Sequence, residues 1–184
     1  LQKYCYILSW VLSGVNKPKD KVVFMDHGGG HGLMSLLAME HGVGMVVYSD
    51  IYSVSAEDAQ KIGKSLGLEA DIYIPGEIDD VIQYLNKNMI ECDAVASYDV
   101  IEHIYQSKED RFFEVICNNL KDNGFCVIGT PNEAANKFTS KENEIAHVNL
   151  FSHQRLSELA AEHDAVSCVQ LRRNYGLTQA LQAG

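Results

Sequence analysis

What the chain lacks bounds it first. No stretch holds the roughly eighteen unbroken apolar residues that a membrane-spanning helix needs. Residues 4–12, Tyr-Cys-Tyr-Ile-Leu-Ser-Trp-Val-Leu, are apolar but short, without a basic flank or a small-residue cleavage site. They fit a helix lying over a sheet edge rather than a signal peptide. Five cysteines (Cys5, Cys92, Cys117, Cys126, Cys168) are scattered with no C-x-x-C pair, and no Asn-x-Ser/Thr acceptor occurs. Reduced thiols and a cytoplasmic location are expected. Basic residues are scarce too: 15 Lys and Arg against 25 Asp and Glu give a net charge of −10. Neutralising a nucleic-acid backbone calls for a basic stripe. Only Arg172-Arg173 and a diffuse Lys17/Lys19/Lys21 group are present, so nucleic acid is not the expected partner.

The rest of the composition is that of a globular domain, 46% apolar and 22% charged over 184 residues. One domain is expected over 1–184, with a helix and linker in 1–20 and a substrate-side loop in 131–152. Oligomeric state is not legible.

The most informative stretch is 22–32, Val-Val-Phe-Met-Asp26-His-Gly28-Gly-Gly30-His-Gly32. An apolar run ends in an acid, as a buried parallel strand does. Glycines at Gly28, Gly30 and Gly32 then let the backbone turn and approach a ligand closely. Leu33, Leu36 and Leu37 follow at helical spacing, so strand, loop and helix form the first unit of a nucleotide-type fold. The dinucleotide fingerprint needs its third glycine where Leu33 stands. Met45-Val-Val-Tyr-Ser-Asp50 is a second strand ending in an acid, whose two oxygens can take both hydroxyls of a ribose. Ile51 can cover one face of the base. His27 and His31 are expected to shape the loop or face solvent.

The pattern then repeats. Helices fit 54–66, 78–87 and the Phe112/Phe113/Ile116/Leu120 stripe, with later ones at Leu156–His163; strands fit 70–74, 93–98, 125–129 and 166–171. Ser55-x-x-Asp58 and Ser107-x-x-Asp110 read as helix caps, which places Gly63-Lys64-Ser65 in a helix and not in a P-loop. Such alternation predicts an α/β, doubly wound, mostly parallel Rossmann-like sheet whose strand ends gather along one edge. Residues 174–184 are barely long enough to begin a seventh strand, so the sheet is expected to stop short of it.

The Asp-x-Gly-x-Gly-x-Gly spacing at 26–32 resembles the first motif of class I S-adenosylmethionine-dependent methyltransferases. Ser97-Tyr98-Asp99-Val100-Ile101-Glu102-His103 resembles the post-strand-four motif of the ubiquinone-biosynthesis-like O-methyltransferases, and of small-RNA 2′-O-methyltransferases. Gly129-Thr130-Pro131-Asn132 and His147-Val-Asn-Leu-Phe151 are similar to downstream elements of both groups. The resemblance implies the class I topology and S-adenosylmethionine as cofactor. It puts Asp26 toward the amino-acid end, Asp50 on the ribose, Glu77 and Ile78 at the adenine, and Tyr98 in the cofactor set.

At one helical turn, Asp99, Glu102 and His103 share a face. With His147 they could hold a divalent metal, magnesium or similar; the resemblance to the RNA enzymes implies the same. Asp99 is one methylene shorter than the glutamate usual there. Alternatively the Glu-His pair orders the substrate-side loop. Glu102, His103 and His147 are the catalytic set expected for methyl transfer to oxygen of a small polar acceptor, a sugar, phenol or similar metabolite. Nitrogen and carbon acceptors stay open. Competing readings are a metal-dependent RNA 2′-O-methyltransferase-like enzyme, a NAD(P) or nucleotide-sugar oxidoreductase, disfavoured by the missing glycine and the lack of Tyr-x-x-x-Lys, and a non-catalytic cofactor-binding subunit.

Overall fold

The computed structural model describes residues 2–134, 140–163, 165–173 and 176–183, the last two segments as backbone. Its strands are β1 (Val23–His27), β2 (Met45–Asp50), β3 (Ile72–Pro75), β4 (Cys92–Tyr98), β5 (Leu120–Thr130), β6 (Ala165–Arg173) and β7 (Gly176–Ala183). They form one seven-stranded sheet in the order β3-β2-β1-β4-β5-β7-β6. The first five are parallel, and β7 pairs antiparallel with both β5 and β6. The sheet thus reaches a seventh strand, contrary to the expectation from 174–184.

Side-chain alternation explains why helices cover both faces. Phe24, Val46, Tyr48, Ala94, Ala96 and Val127 belong to one core, while Met25, Val47, Val95, Cys126 and Ile128 belong to the other. Neighbouring residues of one strand point to opposite faces, so a strand apolar throughout must be buried twice. The first core takes Leu8 and Val11 of α1 (Gln2–Gly14), Met34 and Ala38 of α2 (Leu33–Glu40), and Ala56 and Ala59 of α3 (Ser53–Leu66). The second takes Val81 and Leu85 of α4 (Ile78–Asn88), Phe112 and Ile116 of α5 (Glu109–Cys117), and Leu156 of the helix at His153–Glu162. A short helix, α6 (Lys141–Ala146), lies within the expected loop 131–152, so that later helix is α7.

Local corrections concern caps. Helix α3 begins at Ser53 after Tyr52, which puts Ser55 inside it, and α5 begins after Lys108 with no side-chain cap. Strand β5 starts at Leu120 rather than at the expected 125, so Asn123, with φ 61°, lies within it where β4 and β5 lose register between Cys92 and Ala94. Gly63-Lys64-Ser65 lies within α3, as expected.

At the sheet's amino-terminal end, Asp93 gathers three partners. Its Oδ2 accepts from the Val23 amide and from Lys17 Nζ, both at 2.8 Å, and Lys121 Nζ lies 3.1 Å from Oδ1.

Candidate active site

The carboxyl ends of β1, β2 and β4 set the site. Asp26 is buried, and its Oδ2 accepts the Ser35 amide (2.9 Å) and hydroxyl (2.8 Å), tying β1 to the first turn of α2. Burial raises its pKa to about 6 against those hydrogen bonds, with Asp50 pushing the same way.

Between them runs the glycine loop. Gly28, Gly30 and Gly32 all take positive φ (73°, 53°, 77°). The Gly28 and Gly29 amides donate to the Ser49 carbonyl, which folds the loop over the end of β2. A Cβ on Gly28 would meet Val100 at 2.4 Å, so the loop also touches the segment after β4. A Cβ on Gly30 would meet nothing within 4 Å: the loop crest faces open space, as a ligand cradle requires.

Asp50 sits beneath that crest. Its Oδ2 accepts from the Gly30 amide and its Oδ1 from the Tyr52 amide, each at 2.9 Å. The expectation that both oxygens are kept for a ribose is therefore amended: each already holds a backbone donor and retains one lone pair. Ile51 is exposed beside it, in position to cover a base.

Glu77 caps α4 in a reciprocal capping box with Asp80, and Ile78 lies half-buried at the first helical position. The Glu77 carboxylate is thus engaged by its own helix. Tyr98 is engaged by α1: Lys3 Nζ lies 4.2 Å from its ring centroid, Tyr4 packs edge-on at 6.2 Å, and a Cβ on Gly129 would strike the ring.

After β4 the chain makes a 3-10 turn, Ile101–His103. Glu102 is 1% exposed; its Oε2 accepts from Thr130 Oγ1 at 3.0 Å, and its Oε1 has no partner. Burial, reinforced by Asp99, raises its pKa to about 7. The His103 Nδ1 bonds the Ala146 carbonyl at 3.0 Å. A carbonyl only accepts, so Nδ1 carries the proton and Nε2 keeps its lone pair. The His147 ring stands 5.1 Å from that of His103, edge to face. Its pKa is lowered by burial and by His103, against the pull of Asp99.

Ligand atoms of Glu102, His103 and His147 all lie within 4.8 Å of one another. Asp99 is not brought into this group: its Oδ2 pairs with Lys3 Nζ at 2.8 Å. Of the four residues expected together, Glu102, His103 and His147 are brought into one group, while the Asp99 side chain is turned to Lys3 of α1. His27 is buried against Phe112 and bonds Ser49 Oγ at 2.9 Å, with its pKa lowered by burial to about 4; His31 is exposed.

Several residues at the site escape a reading by motif. The Tyr48 hydroxyl donates to the Gly30 carbonyl at 2.5 Å from below the loop. Asn149 is buried; its amide donates to the Glu102 carbonyl at 3.1 Å and its side chain to Glu109 at 2.5 Å, while Arg155 binds both Asn149 and Glu109. This network fixes the strand-like return that carries His147. The signal available was Asn149 set between the apolar Val148 and Leu150-Phe151 just after His147.

A parallel sheet with one antiparallel insertion, a glycine crest at the first strand and acids at the next strand ends is the class I methyltransferase topology. Residues 25–128, more than half of the chain, match the family described as methyltransferase domain, and the chain belongs to it. The fold is shared with magnesium protoporphyrin IX methyltransferase from Synechocystis PCC 6803 with bound S-adenosylhomocysteine (TM-score 0.73, 13% identity, 100% of this chain and 83% of that one). It is shared also with an O-methyltransferase family protein from Burkholderia thailandensis (0.77, 12%, 100% and 56%) and with the methyltransferase domain of bacterial CtHen1 (0.76, 16%, 100% and 97%). No curated protein matches the sequence. Among the described residues no helix is long and apolar enough to cross a membrane.

Proposed function

We propose that the chain methylates a hydroxyl group of a small polar acceptor, a sugar, phenol or similar metabolite, as the O-methyltransferases its motifs resemble do. The observation that carries this reading is Glu102 Oε1, buried and unpartnered beside two imidazoles, one of which keeps its Nε2 lone pair because its Nδ1 serves the Ala146 carbonyl. Bound S-adenosylmethionine supplies a methyl group already activated on a sulfonium.

The chain's own residues have three tasks. Asp50 offers the remaining lone pair of each oxygen to the ribose hydroxyls, Ile51 covers the adenine, and the first amide of α4 at Ile78, beside Glu77, meets the ring. Asp26, Gly28, Gly30 and Gly32, with Tyr98 behind them, bound the amino-acid end. On the acceptor side, His103 Nε2 takes the hydroxyl proton as the oxygen gains the methyl. Glu102 then faces the imidazolium that forms, and His147, kept neutral, orients the acceptor.

The donor set also fits a divalent cation, since ligand atoms of one carboxylate and two imidazoles lie within 4.8 Å of one another. Glu102, His103 and His147 would hold it, and two nitrogen donors suit manganese better than magnesium. When bound, such a cation lowers the pKa of the acceptor hydroxyl. The same cluster supports the alternative of an RNA 2′-O-methyltransferase-like enzyme, against which the net charge of −10 weighs.

Turnover of S-adenosylmethionine with a panel of hydroxylated small molecules tests the reading, with and without chelator. We expect an O-methylated product, and a fall in kcat of about a hundredfold or more in His103→Ala, with S-adenosylhomocysteine affinity unchanged. Methylation at nitrogen or carbon, or turnover on RNA alone, would replace it.

A further inference from the structure

Asp99, which its spacing from Glu102 and His103 led one to expect among the ligands, is paired with Lys3 instead, and the other three gather without it. We propose that Lys3 is a tethered cation that withholds Asp99 from the cluster, and so sets how tightly the cluster holds a divalent ion. This inference rests on the metal-binding form of the reading above.

The geometry around Lys3 is that of an occupied cation box. Its Nζ lies 2.8 Å from Asp99 Oδ2, 4.2 Å from the Tyr98 ring centroid and 4.9 Å from that of Tyr4. A carboxylate and two ring faces are the groups that hold an ammonium. The pair joins residues 96 positions apart, fastening α1 to the turn that carries the site.

Asp99 is free to change partner only through its side chain. Its φ of 58° is a left-handed conformation, and its amide donates to the Gly129 carbonyl at 2.8 Å, which fixes the backbone. The buried, unpartnered Glu102 Oε1 independently marks a place for a positive or donating ligand.

Release of Lys3 is inexpensive for the helix. Lys3 holds α1 to the turn through a partly exposed ion pair and two ring faces, not through buried apolar surface. Ile7, Leu8 and Val11 are buried and anchor the remainder. A cation that recruits Asp99 therefore loosens one turn and leaves the helix docked.

Manganese binding to the full chain, followed by the electron paramagnetic signal of the free ion, tests this without any methyl acceptor. Lys3→Met keeps the stem that packs on the rings and removes the charge. It should bind manganese about fivefold more tightly than the wild type, the worth of one partly exposed ion pair with its ring contacts. Asp99→Asn should bind more weakly, and adding Lys3→Met to it should gain nothing. Manganese should also speed hydrogen exchange in the first two turns of α1 in the wild type. Equal affinities for wild type and Lys3→Met overturn the latch while leaving the metal reading intact. A gain of equal size in the Asp99→Asn background reduces Lys3 to general repulsion and overturns it too. No manganese binding by either protein overturns both, and His103→Ala checks that the ion is at the cluster.

Discussion

A carboxylate as buried as Glu102, with one oxygen unpaired, holds free energy that a ligand or a proton can release. Its pKa near 7 in the fold, against 4.5 ordinarily, means the folded chain keeps the proton longer than the unfolded one. Stability from this residue is fully present below pH 4.5 and is lost as pH rises through 7. Glu102→Gln removes that loss. The variant should be more stable than the wild type at pH 8 by on the order of 2 kcal/mol, and no more stable at pH 4.5, while turnover is abolished. Denaturant titrations at the two pH values measure it; an equal difference at both would place the effect elsewhere. At this scale the sequence showed residue types well and partners poorly. Asp26 and Asp50 stand at the carboxyl ends of β1 and β2, and Glu102, His103 and His147 gather after β4. That Asp50 would be met by the Gly30 and Tyr52 amides, or Asp99 by Lys3, depends on contacts that local spacing does not encode.

At the level of elements, two glycines of one loop should behave differently. Gly28→Ala drives a methyl into Val100, whereas Gly30→Ala places it in open space and meets only the strain of φ 53°. Gly30→Ala should cost about 1–2 kcal/mol in stability yet weaken S-adenosylhomocysteine about tenfold or more, as a methyl intruding on a ligand does. Gly28→Ala should lose more stability than Gly30→Ala. Calorimetric titration alongside thermal melts separates the two; unimpaired binding by Gly30→Ala would remove the crest from the cofactor site. Strands and helices were legible because buried strands are apolar throughout and helices stripe. Boundaries governed by backbone geometry were not: the bulge at Asn123-Gly124 has the composition of a hairpin turn, and the start of α5 lacks any capping side chain. The seventh strand was missed because its pairing partners, β5 and β6, fix it rather than its length.

For the molecule as a whole, ligand binding should appear as stability. S-adenosylhomocysteine at a hundred times its Kd should add about 2.7 kcal/mol, which for a chain of this size raises Tm by about 5–10 °C. NAD at the same concentration should leave Tm unmoved, and the reverse pattern would restore an oxidoreductase. The arrangement of charge adds a mechanical asymmetry. Asp93 draws the Val23 amide, Lys17 and Lys121 together at the end of the sheet remote from the glycine crest. Three chain segments are thereby riveted at the floor, while at the opposite rim Asp26 and Asp50 are held, among the described residues, by backbone amides and the Ser35 hydroxyl alone. Breathing of the sheet is then expected as a fanning from a fixed base, widest where guests enter, which faster amide exchange at the carboxyl ends of the strands would show.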